Sequence, residues 1–164
     1  MKKTAAVLVS VLMSFAPVSV GAISESKKEA ISKNCSTIVE NLKELQHEDS
    51  KTRVYLGRYY EVLQLRFITP FNVRLSENTL SNDSFVNNQN DFNKGRENFM
   101  IDFIEYQKGL EDLVATDCKT EPENFYNKLV KVRERRKVVE SDTVVLKELI
   151  MTQLNLVKGL REQL

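Results

Sequence analysis

The last third of the chain repeats apolar side chains at alternating steps of four and three residues. Phe125, Leu129, Val132, Arg136, Val139, Thr143, Leu146, Ile150, Gln153, Val157, Leu160 and Leu164 keep this spacing, and nine of the twelve are apolar. Such spacing puts every member on one stripe of an α-helix, and a stripe kept up for about five heptads requires partner helices at shallow crossing angles. Thr120-Glu121-Pro122-Glu123 marks its start: Thr120 as cap, Glu123 closing a capping box, and Pro122 in the first turn. The pattern predicts a helix over 121–164, roughly 60 Å long at the helical rise.

Two earlier stretches repeat in the same way. Phe85, Phe92, Phe99, Tyr106 and Leu113 recur every seven residues, with Phe103 and Leu110 on the same face, and Asp83 is placed to cap a helix over 83–116. Ile31, Cys35, Ile38, Leu42, Leu45, Asp49, Thr52, Leu56, Tyr59 and Leu63 form a third stripe, predicted as a helix over 24–68 that stops before Thr69-Pro70. Thr69 to Asn82 is then the long connection, in which Val73, Leu75 and Leu80 leave room for a short extra turn. Only five Gly and three Pro punctuate 164 residues. Gly-rich phosphate loops, dinucleotide fingerprints and β-sandwiches need more. The expected fold is all-α: an elongated antiparallel three-helix bundle of coiled-coil character, forming a single domain over 23–164.

Residues 1–22 read as a cleaved signal peptide. Met1-Lys2-Lys3 is a basic start, Ala5 to Val20 is uncharged and mostly apolar, and Val20-Gly21-Ala22 is a small-residue cleavage pattern. The apolar stretch of ~16 residues falls short of the ~20 that span a bilayer. The opening MKKTA resembles bacterial secretory signals, which implies a periplasmic, cell-surface or secreted protein. Loss of Lys2 and Lys3 would turn a formal net charge of +1 into −1, so no overall field draws the mature chain to nucleic acid.

Export bears on Cys35 and Cys118. Two thiols in an exported chain, outside any C-x-x-C arrangement, are expected to form one disulfide. From Phe67 back to Cys35 and from Asp83 forward to Cys118 are roughly 48 and 52 Å of helix. An antiparallel hairpin therefore brings both cysteines to one level.

Signatures of catalysis are missing. His47, the sole histidine, stands beside Glu44, Glu48 and Asp49 without a paired ligand spacing, and is expected to be a solvated helix residue rather than a metal ligand. No nucleotide, cofactor or metal is expected, and the chain is not read as an enzyme. Lys128, Lys131, Arg133, Arg135, Arg136 and Lys137 make a basic stretch of the third helix, a candidate patch for weak contact with an anionic envelope surface. Arg136 sits on the apolar stripe. Counting up the helices from the cysteines predicts that it meets Asp49 or Asp102 in a partly buried pair that sets register.

The segment from Asp117-Cys118 through Pro122, Phe125-Tyr126, Leu129 and Arg133-x-x-Arg136 resembles a group of small exported helical proteins from genome-reduced candidate-phylum bacteria. The resemblance implies a disulfide-linked helical bundle in which Cys35 partners Cys118, and it carries no catalytic residue. The expected function is that of an exported structural or interaction protein that binds a protein partner or self-associates through its helix faces. An extracytoplasmic chaperone or adaptor holding clients on an apolar groove, or a binder of anionic surfaces, are the alternatives.

Overall fold

A computed structural model describes residues 23–163. The expected signal peptide at 1–22 and the final Leu164 lie outside the described residues. All regular structure within them is helical: α1 (Glu25–Lys33), α2 (Cys35–Leu63), a π-helical turn (Gln64–Ile68), α3 (Thr69–Glu77), α4 (Asp83–Val114) and α5 (Pro122–Gln163). At 42 residues α5 is roughly 63 Å long.

The first expected helix differs from its prediction at both ends. Asn34 interrupts it near the start, with φ −102° and ψ 12°. The Asn34 side-chain amide donates to the carbonyl of Ala30 at 2.8 Å, the local competition that makes asparagine a poor interior helix residue. Farther on, the helix does not stop at Thr69-Pro70 but continues to Glu77. The π-turn explains this. Pro70 has no N–H to donate, and in a regular α-helix its ring would strike the carbonyl four residues back. Widening the preceding turn relieves that contact: the N–H of Thr69 reaches the carbonyl of Gln64, five residues back, and Thr69 itself stays helical at φ −63°, ψ −50°.

The connection shrinks accordingly to Asn78–Asn82. α3 ends with the N–H of Leu80 on the carbonyl of Leu75 (3.0 Å) and that of Thr79 on Ser76 (3.1 Å), the bond pair of a Schellman stop. Thr79 occupies the left-handed position usual for glycine, at φ 54°. The α4–α5 turn also departs from expectation. The Thr120 hydroxyl donates to Asp117 (2.9 Å) rather than capping α5, and Glu123 pairs with Lys28 of α1 at 3.0 Å rather than closing a box. Asp117, which also accepts from the Lys119 N–H at 2.8 Å, organises this turn.

α4 and α5 form the longest pairing, and α2 packs chiefly on α4. Glycine spacing explains the asymmetry. A Cβ on Gly95 would lie 3.1 Å from Leu146, and one on Gly109 3.0 Å from Arg135, so these two bare positions let α5 come close along α4. Large rings meet α2 instead. Tyr60 of α2 stands edge-on to Phe92 and Phe99, and the ladder runs on through Phe103 to Tyr106 with ring centres 5.5–6.2 Å apart. The α4 stripe is sealed at Phe85, Phe92, Phe99, Phe103, Tyr106, Leu110 and Leu113. On α5 only one of the two alternating positions is sealed, at Phe125, Val132, Val139, Leu146 and Gln153.

Candidate functional site

Charged groups converge where α2, α4 and α5 meet. Asp49 stands on the apolar stripe of α2, one turn of Phe103 and Tyr106 supplies the α4 wall, and Arg136 reaches in from α5. The Tyr106 hydroxyl donates to Asp49 Oδ2 at 2.6 Å, and Arg136 Nη2 lies 3.4 Å from Asp49 Oδ1. The Asp49 carboxylate is 14% exposed and the Arg136 side chain 44%, so the pair stands at the lip of the interior. Burial, followed by the hydrogen bond to Asp49, pushes the Tyr106 phenol far above its ordinary range and keeps it a donor. One helical step away, Gln107 Nε2 donates to Ser50 Oγ at 2.9 Å. Above the cluster a groove of about 240 Å³ has Leu56, Phe103 and Val139 as its apolar wall and Thr52, Glu140 and Thr143 at its rim.

Of the two carboxylates named from the sequence as partners of Arg136, Asp49 makes the contact. Asp102 meets a second carboxyl instead. Asp142 of α5 is pushed up to about 6, first by burial and then by the charge of Asp102, with which it shares a hydrogen bond when protonated. Its Oδ2 is buried without a donor. Like-charged carboxyls at such range cannot both ionise freely.

The basic stretch of α5 is largely committed to carboxylates. Lys128 pairs with Asp112 at 2.9 Å, Lys137 with Glu134 at 3.0 Å, and Arg135 lies 3.8 Å from Glu105 while donating to its backbone carbonyl at 2.7 Å. Lys131 and Arg133 are exposed and form no ion pair among the described residues. His47 is exposed on α2, and no group of three or more His, Cys, Asp or Glu side chains is placed to hold a metal among the described residues.

Cys35 and Cys118 form a disulfide with Cα atoms 5.5 Å apart, joining the first residue of α2 to the α4–α5 turn. Both are buried. Ser32 adds a second tie, donating to the carbonyl of Lys119 at 3.2 Å.

Two amide networks are buried between helices. Asn88 of α4 donates to Gln153 Oε1 (2.9 Å) and to the carbonyl of Leu149 (3.2 Å) on α5. Asn72 of α3 donates to the carbonyl of Phe85 (3.1 Å) and to Gln89 (2.6 Å), which in turn donates to Thr69 (3.0 Å). In the sequence Gln153 interrupts the apolar stripe of α5, and Asn72 falls in the connection 69–82, whose Asn and Ser content reads equally well as loop.

Comparison with protein families, with curated proteins and with solved structures finds no match to this chain.

Proposed function

We propose that this chain is an exported, non-enzymatic structural or interaction protein of a bacterial envelope or extracellular space, built as an elongated antiparallel three-helix bundle. It associates through a helix face, with a protein partner or with itself. One observation carries the reading: the outer face of α2 leaves Tyr55 at 71%, Tyr59 at 43% and Val62 at 42% exposure, on successive turns of one helix side. Aromatic side chains grouped in this way mark contact surfaces rather than solvated ones. The Cys35–Cys118 disulfide supports an oxidising compartment, and no helix among the described residues is long and apolar enough to cross a membrane. The likeness of the 117–136 segment to exported helical proteins points the same way. For the bundle, the support is that Asp49, Tyr106 and Arg136 bring α2, α4 and α5 to one point.

Sedimentation equilibrium and capture from native envelope test the reading together. Wild-type protein should self-associate or retain a partner, and Tyr55→Ser with Val62→Ser should abolish that association while leaving the thermal transition intact. A monomer that captures nothing, or association untouched by the double variant, would refute it.

A further inference from the structure

A second groove, of about 720 Å³, opens between α2 and α4, and no residue of α5 lines it. Arg53, Arg58 and Arg96 all line it, together with Gly57 and Met100, and Glu61 is the one acidic side chain among its lining residues. Among the described residues none of the three arginines has a carboxylate within 4.0 Å, whereas Lys28, Lys51, Lys108, Lys128, Arg135, Arg136 and Lys137 all do. Arg53 adds a sharper sign. Its Nε is buried and has no acceptor. A buried donor left without a partner is destabilising, more so on a charged group, and cations lining one groove repel one another.

We propose that this groove binds a multiply charged oxyanion, a phosphate or sulfate group, held by Arg53 and Arg58 of α2 and Arg96 of α4. The chemistry matches on three counts. A guanidinium presents a planar fork of donors suited to two oxygens of one tetrahedral anion. Arg53, whose Nε is buried without an acceptor and whose guanidinium has no carboxylate partner among the described residues, offers its terminal nitrogens to the first oxygens. The remaining oxygens reach Arg58 and Arg96, so the anion ties α2 to α4 where only Met100 against Gly57, at 3.5 Å from a Cβ there, fills the seam. Glu61 does not substitute for it, being exposed and beyond ion-pair range of all three arginines. The basic stretch of α5 is a weaker candidate for the same chemistry, because most of its cations already face carboxylates.

The test uses the disulfide-bonded chain with inorganic phosphate, followed by ³¹P line broadening at constant ionic strength maintained with chloride. Saturable broadening is expected for the wild type and for Lys131→Gln, a control on α5. Arg53→Gln and Arg96→Gln should each weaken it by about tenfold or more, the loss of one charge-assisted contact. Arg53→Lys should restore little, since an ammonium lacks the planar fork of donors that meets two oxygens at once. Circular dichroism melts confirm that each variant folds, and Arg58→Gln, an exposed position, serves if Arg53→Gln does not. A parallel arm sediments the protein with vesicles of phosphatidylglycerol in phosphatidylcholine. Vesicle binding that the arginine variants lose and that phosphate competes identifies a lipid headgroup as the source, and phosphate binding without vesicle binding identifies a soluble ligand. No saturable response in either arm, or equal binding by the arginine variants and the wild type, overturns the proposal.

Discussion

The Tyr106 hydroxyl donates to the Asp49 carboxylate across 2.6 Å, joining the C-terminal half of α4 to the centre of α2. A residue on the aromatic stripe thereby acts as core and as polar lock at once. Tyr106→Phe keeps the ring packing and removes only this bond to a charged acceptor, and should cost about 1.5–3 kcal/mol in urea unfolding. A double-mutant cycle with Asp49→Asn should show coupling above about 0.5 kcal/mol. Burial also raises the Tyr60 phenol. Tyr60 and Tyr106 should therefore ionise above the ordinary tyrosine range in an absorbance titration. Because folding raises their pKa and so favours the neutral phenol, the stability they contribute is fully present below the ordinary tyrosine range and is lost as pH rises through their folded values.

The carboxyl pair across α4 and α5 gives the opposite end of the pH scale a distinct signature. Asp142, pushed up to about 6, contributes stability that is present below its unfolded value of 3.8 and lost as pH rises through 6. Thermal midpoints should accordingly rise as pH falls from 7.5 to 5. Asp142 is only partly buried, and screening through its open side limits the effect to about 1 kcal/mol. Asp142→Asn should remove the pH dependence and melt at neutral pH above the wild type. A profile that is flat, or that falls toward pH 5, would contradict the shared-proton arrangement.

Thr79 holds a left-handed backbone at the end of α3, φ 54°, with a β-branched side chain. Glycine removes that steric cost and should stabilise the protein by about 0.5–1 kcal/mol, even after its greater freedom in the unfolded chain is counted. The denaturant midpoint of Thr79→Gly measures this, with Thr79→Val expected to be no better than the wild type.

The disulfide closes a sequence separation of 83 residues, for which the chain-entropy relation gives about 4–5 kcal/mol. Cys35→Ser with Cys118→Ser should lower stability by up to that amount. Since both sulfurs are buried, reductant should act on the native protein only slowly, at the rate of local opening around the α4–α5 turn. Rapid reduction under native conditions would show that the turn opens far more freely than its packing implies.

How much of this was legible in advance follows from the range of the interactions concerned. The α4 and α5 spans and the aromatic stripe follow from local periodicity, and Cys35 does meet Cys118, although its level was counted from a helix end at Phe67 that the chain runs past. Pro70 misled because its bias acts on one turn, and the π-turn before it absorbed the clash. Thr120 and Glu123 form a capping box on paper, yet Asp117 and Lys28 took their side chains. Asn72 and Asn88 looked like loop and surface residues, since nothing in a single sequence shows which carbonyl a buried amide will meet. Arg53 and Arg96 lie 43 positions apart and carry no shared pattern.

Sequence alone determines that this chain is helical and where its two longest helices run, because apolar spacing and backbone hydrogen bonding are settled within a few turns of the same segment. Tertiary structure decides which polar groups meet. Gly95 and Gly109 draw α5 against α4, the aromatic ladder holds α2 on the other side, and that unequal spacing leaves one groove around Asp49, Tyr106 and Arg136 and another around Arg53, Arg58 and Arg96. Their charges are set by distances between helices, which depend on side-chain volumes across the seam rather than on the order of residues along either helix.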